Sequence, residues 1–159
     1  MGNTPGSEKK NSKLITSKQD TPVIKHKVTG ILVVDDVKIM FDIINKYFKH
    51  YEHKEIAIKH AQNGNEALKI LLQDDNKYNV TLMDIKMSPL NGYKTTEKLV
   101  ENKYDGLILG VSGMVDQESI DHAIKSGMKD MCSKPVVFDT LLLKMNTYNY
   151  YLPQQLTDK

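Results

Sequence analysis

Four short segments in this chain of 159 residues, three of them apolar, lead into side chains that can do chemistry. Gly30-Ile31-Leu32-Val33-Val34 ends in Asp35-Asp36, Val80-Thr81-Leu82-Met83 in Asp84, Leu107 to Val111 in Ser112, and Asp130 to Ser133 in Lys134-Pro135. Read as parallel strands of one sheet, they deliver all of these residues to its carboxyl edge, where ligands sit in open α/β folds. Taken singly, each residue has a plain reading: an Asp after a strand caps a helix, a Ser makes a turn, a Lys before Pro faces water. Together they bring three carboxylates, a hydroxyl and an ammonium to one place. Clustered carboxylates repel one another unless a cation neutralises them. A hard ion that takes oxygen ligands and keeps several waters, Mg²⁺, suits such a set. An aspartate can also act as a nucleophile and accept a phosphoryl group as an acyl phosphate, while a metal, a lysine and a hydroxyl take up charge on the phosphoryl oxygens.

The elements that must position these residues follow from periodicity. Gly30–Val34 is a buried strand, and residues 37–50 carry Met40, Ile43, Ile44, Tyr47 and Phe48 at helical spacing. Glu55 to Ala61 predicts a second strand, Gly64 to Leu72 a second helix, and Asn79 to Asp84 a third strand. Tyr93, Thr96, Leu99 and Val100 mark a third helix, and Leu107 to Val111 a fourth strand. Ile120, Ala123 and Ile124 mark a fourth helix closed by Gly127, Asp130 to Ser133 a short fifth strand, and Phe138, Leu141, Leu142, Met145 and Tyr148 the last helix. Strands alternating with helices over short connections mean a doubly wound α/β fold, a five-stranded parallel sheet with right-handed crossovers.

The chain length suits one domain: a tail over residues 1–27, a folded domain over 28–150 and a C-terminal tail over 151–159. Of the net charge of +2, the first tail carries +4, from six lysines against Glu8 and Asp20, and the rest carries −2. A mildly acidic body argues against nucleic-acid binding. All 22 basic residues are lysine, so no guanidinium fork holds the anion. No run approaches the ~18 apolar residues of a membrane span. The single cysteine, Cys132, reads as a small buried hydrophobe and fits a reducing, cytoplasmic location. The five histidines (His26, His50, His53, His60 and His122) have no metal-ligand spacing and read as surface or helix-end residues.

The ordered set of motifs resembles the receiver domain of response regulators, the CheY-like family. Its pieces are Ile31-Leu32-Val33-Val34-Asp35-Asp36, Met83-Asp84-Ile85-Lys86-Met87, Asn91-Gly92, Val111-Ser112-Gly113 and Ser133-Lys134-Pro135. They are spaced by 48 residues from Asp36 to Asp84, 28 from Asp84 to Ser112 and 22 from Ser112 to Lys134. The resemblance implies a (βα)5 flavodoxin-like fold with strand order 2-1-3-4-5. Asp84 would be the phosphoacceptor. Asp36 directly, Asp35 through water, Asp84 and the Lys86 carbonyl would hold Mg²⁺. Ser112 would hydrogen-bond the phosphoryl group and shift on activation, and Lys134 would pair with it, aimed inward by a cis bond to Pro135. Val115-Asp116-Gln117 and Ser126-Gly127-Met128 are similar to receivers of hybrid histidine kinases and phosphorelays. The donor implied is a histidine kinase or a histidine phosphotransfer protein, and the chain would be a monomer or a phosphorylation-dependent dimer without membrane contact. As a catalyst it would act only on its own phosphoaspartate, stand-alone or as a fragment of a hybrid histidine kinase.

Two departures from the family pattern mark the route away from Asp84. Ser88 stands where the family has a proline, with Pro89 following, and Met131 replaces the aromatic switch residue three before the lysine. Lys86 and Met114 occupy the positions that tune hydrolysis of the phosphoaspartate in this family. These departures give weight to an alternative, a pseudo-receiver that binds partners without phosphorylation. A haloacid-dehalogenase-type phosphatase is set aside because Lys86 stands where the general acid would, and a dinucleotide-binding protein for want of a Gly-rich turn after the first strand. Expected docking surfaces are the exposed apolar part of the first helix, Met40 or Ile43, and the face of the fourth helix, fifth strand and last helix.

Overall fold

The computed structural model describes residues 2–3, 21–73 and 76–153, and the expectation of a tail over 1–27 falls mostly outside them. The elements run β1 (His26–Lys27), β2 (Gly30–Val34), α1 (Ile39–His50), β3 (Ala57–Ala61), α2 (Gly64–Leu71), β4 (Val80–Asp84), α3 (Gly92–Glu101), β5 (Leu107–Ser112), α4 (Gln117–Ser126), β6 (Asp130–Ser133), α5 (Phe138–Thr147) and β7 (Tyr150–Tyr151). Five strands form one parallel sheet in the order β3-β2-β4-β5-β6. Counted along that sheet alone, this is the expected 2-1-3-4-5. No described helix is long and apolar enough to cross a membrane.

Side chains alternate across a strand, so a sheet covered on both faces needs apolar residues at every position. β2 shows this: Ile31 and Val33 point to one core cluster, Leu32 and Val34 to the other. The first cluster joins them to Met40, Ile44 and Phe48 of α1 and to Phe138, Leu141 and Met145 of α5. The second joins Met83 and Ile108 to Ala67 and Leu71 of α2, Leu99 of α3 and Ala123 of α4. Each such aliphatic or aromatic side chain, fully buried, contributes about 1.5–3 kcal/mol. The crossovers therefore place α1 and α5 on one face and α2, α3 and α4 on the other.

Local chemistry fixes the helix ends. Asn63 caps α2 by accepting from the Glu66 N–H, and the Glu66 carboxylate returns to the Gln62 N–H. Asp116 and Ser119 form a reciprocal capping box at the start of α4. α4 ends at Gly127, whose φ of 115° is a left-handed conformation that a side chain would strain. β3 starts two residues later than expected, and α1 starts at Ile39, not 37.

The folded domain also extends past its expected start at residue 28. His26–Lys27 pairs in parallel with Tyr150–Tyr151, with His26 N–H donating to the Asn149 carbonyl at 2.7 Å and Val28 N–H to the Tyr151 carbonyl at 2.9 Å. The His26 ring stacks on Tyr150 with centroids 4.8 Å apart. Two-residue strands carry no alternation, so the sequence pattern leaves His26–Lys27 and Tyr151 in the tails and only Tyr150 in the domain.

Candidate functional site

Asp35 follows β2 directly and is 2% exposed. Its main chain is held by β3: its N–H donates to the Ala61 carbonyl at 3.0 Å, and its carbonyl lies 2.8 Å from His60 Nε2. A carbonyl can only accept, so the proton sits on Nε2. The Asp35 side chain is held as well, with Oδ1 accepting from the Val37 N–H at 2.9 Å and Oδ2 from Lys134 Nζ at 2.9 Å. Asp36, one residue on, is exposed. Asp84 is the last residue of β4 and 4% exposed, and Gly92 packs its backbone against the Asp84 carbonyl so closely that a Cβ there would overlap it.

Ser112 is the last residue of β5, half-buried, and its Oγ accepts from the Met114 N–H at 3.3 Å. Lys134 follows β6; its N–H donates to the Ser112 carbonyl, and both Lys134-Pro135 and Ser88-Pro89 are cis. The ammonium reaches back between two carboxylates, 2.9 Å from Asp35 Oδ2 and 3.2 Å from Asp84 Oδ1. The Lys86 N–H also donates to the Asp84 carboxylate.

The charges conflict. Burial raises the Asp84 carboxyl above its ordinary value and the neighbouring Asp35 charge adds to this; Lys134 and the Lys86 N–H oppose but do not overcome them. Partial burial lowers Lys134, yet its bonds to Asp35 and Asp84 more than reverse this, so its ammonium is held above the usual lysine value. One oxygen from each of Asp35, Asp36 and Asp84 lies within 4.8 Å of the others. Three carboxylates facing one ammonium leave a net negative, all-oxygen nest, and its donor set fits a hard divalent cation. Lys86, the fourth residue named from the sequence, lies in the loop that follows Asp84 and is exposed.

Met131 is 3% exposed and sits against Gly110 beside Met128 and Ile85. A side chain on Gly110 would meet Met128 Sδ at 2.8 Å and Met131 Cγ at 3.3 Å, so Met131 fills the space behind β5. Cys132 is buried, and burial pushes its thiol up to about 11, which leaves it protonated and unreactive at neutral pH. His60 was missed as a site residue. Its ring bonds a main-chain atom of a neighbouring strand, a contact with no sequence spacing to reveal it.

Comparison with known proteins agrees with this geometry. The model of the response regulator receiver domain matches residues 31–146, and the chain belongs to that family. It is 31% identical over 124 residues to the two-component response regulator ARR22 of Arabidopsis thaliana, covering 76% of this chain and 84% of that protein. It is 25% identical over 137 residues to the response regulator SaeR of Staphylococcus aureus, covering 82% of this chain and 58% of that longer protein. Among solved structures, the receiver domain of a Francisella response regulator superposes with a TM-score of 0.64 at 26% identity, covering 76% of this chain and 96% of that one. The fold is CheY-like and the chain is a receiver domain of two-component or phosphorelay type.

Proposed function

We propose that this receiver takes a phosphoryl group from a phosphohistidine onto Asp84. The observation that carries the proposal is the meeting of Asp35, Asp36 and Asp84 within 4.8 Å, with the Lys134 ammonium 3.2 Å from Asp84 Oδ1. An Asp84 oxygen attacks phosphorus while the P–N bond to the donor imidazole breaks. The electron pair leaves with that nitrogen, which takes up a proton, and the product is an acyl phosphate on Asp84. Lys134 neutralises charge on the phosphoryl oxygens, and the Ser112 hydroxyl turns from the Met114 N–H to donate to one of them. Asp36, Asp84 and the Lys86 carbonyl, with Asp35 through water, would hold Mg²⁺; its chemistry there is to neutralise charge on the nucleophile and the transferred group.

The donor, a histidine kinase or a histidine phosphotransfer protein, docks beside Asp84 on the start of α1. Val37 (53% exposed) and Ile39 (65%) stand there with Ile43, Pro135 and Val136 around a groove of about 400 Å³ that also touches Asp35 and Lys134. Both docking residues expected from the sequence line this groove, Ile43 at its rim and Met40, 7% exposed, at its core-facing floor. A cytoplasmic setting suits such donors.

Incubation with Mg²⁺ and acetyl phosphate or phosphoramidate is expected to add one phosphoryl group to the wild-type chain and none to Asp84→Asn, read by intact mass. Equal labelling of both defeats the proposal. Partner binding that is undiminished by Asp84→Asn, with no Mg²⁺ affinity by calorimetry, would establish the pseudo-receiver instead.

A further inference from the structure

Two chain segments leave the site, and the structure joins them again some distance away. One runs from Asp84 into α3: the Gly92 N–H donates to the Ile85 carbonyl at 2.9 Å, the Gly92 backbone abuts the Asp84 carbonyl, and Tyr93 is the next residue. The other leaves Ser112, passes Met114 and enters α4 at Asp116, whose carboxylate accepts from the Ser119 N–H at 2.9 Å and the Ser119 hydroxyl at 2.6 Å. The Tyr93 hydroxyl donates to the Ser119 carbonyl at 3.5 Å, and its ring stacks on His122, one turn further along α4, with centroids 3.7 Å apart and planes 14° from parallel. The stack and the Tyr93–Ser119 hydrogen bond thus link the start of α3, which follows Asp84, to the first turns of α4, which follow Ser112.

Residue 131 is poorly placed to do the same. Met131 is buried already and wedged against Gly110 with Met128 and Ile85. Tyr93 and His122, by contrast, are half-buried and exposed, at the boundary between α3 and α4.

We propose that Tyr93 is a positioning residue that ties α4 to the phosphoacceptor loop, and that its stack on His122 is the joint through which a change at Asp84 reaches the α4 surface. The inference rests on the phosphoacceptor reading. Hydrogen exchange of the α4 amides, followed by mass spectrometry with and without Mg²⁺ and beryllofluoride, tests it on wild type, Tyr93→Leu, His122→Leu and Tyr93→Phe. Wild-type α4 exchange is expected to change about threefold or more with beryllofluoride. In Tyr93→Leu and His122→Leu, α4 should exchange several-fold faster at rest and lose that response, while acetyl phosphate still labels Asp84 within about twofold of wild type. Tyr93→Phe, which keeps the ring, should respond as wild type does. A wild-type response in both leucine variants overturns the inference, as does an α4 that does not respond in a wild-type chain that labels. Loss of labelling in Tyr93→Leu alone also overturns it, by placing Tyr93 in the chemistry. A wild-type chain that takes no label overturns the phosphoacceptor reading, and this joint with it.

Discussion

Asp84 is a carboxylate in a place that does not favour its charge. Burial and Asp35 raise its pKa above the ordinary 3.8, so the folded chain binds that proton more tightly than the unfolded chain does. The stability that this protonation lends is fully present below about pH 3.8 and is lost as pH rises through the folded value. Asp84→Asn in EDTA should therefore melt at a higher temperature than wild type at pH 7, with the gap closing as pH falls toward 4. A gap that stays constant over this range would contradict the assignment. Asp35, Asp36, Asp84, Ser112 and Lys134 were legible in the sequence because each stands at the end of a segment readable as a strand, and parallel strands bring such ends together. The finer wiring was not. That Lys134 bridges Asp35 and Asp84, that His60 holds the Asp35 carbonyl and that Tyr93 lies on His122 depend on side-chain reach between elements, which periodicity does not encode.

Among the elements, the helices owe their existence to apolar faces and their limits to caps. α2 is short, Gly64–Leu71, and its start depends on Asn63 and Glu66 exchanging hydrogen bonds with the backbone. Asn63→Ala should cost about 0.5–2 kcal/mol in chemical denaturation, with an unchanged denaturant slope because no tertiary surface is lost. The central strands could be read beforehand because runs such as Ile31–Val34 and Leu107–Leu109 are apolar on both faces and so must be covered on both. The edge strands β3 and β6, which carry Lys59, His60 and Asp130, were placed by the alternation of elements around them. Their ends were less legible. Glu55 and Ile56 were expected in β3, but the ladder begins at Ala57, opposite Gly30, where the partner strand itself begins.

For the whole molecule, the sheet separates two apolar layers, and the site lies at its carboxyl edge while β1 and β7 close the opposite edge. Tyr150, 8% exposed, joins the first layer and carries the His26 ring. Tyr150→Ala should lower stability by about 3–5 kcal/mol, as for other buried aromatic residues. Labelling of Asp84 below the melting temperature should stay as in wild type, and its loss there would show that the two edges are not independent.

The pairing of His26–Lys27 with Tyr150–Tyr151 has an architectural consequence. The chain enters and leaves the domain side by side, at the pole opposite the groove offered to the donor. Both crossing points therefore sit at one pole of the receiver, on neighbouring strands, and because the pairing is parallel the incoming and outgoing chain point in opposite directions along that ladder. Such a unit can be spliced into a longer chain, or given new termini in a surface loop, without rerouting any strand of its sheet.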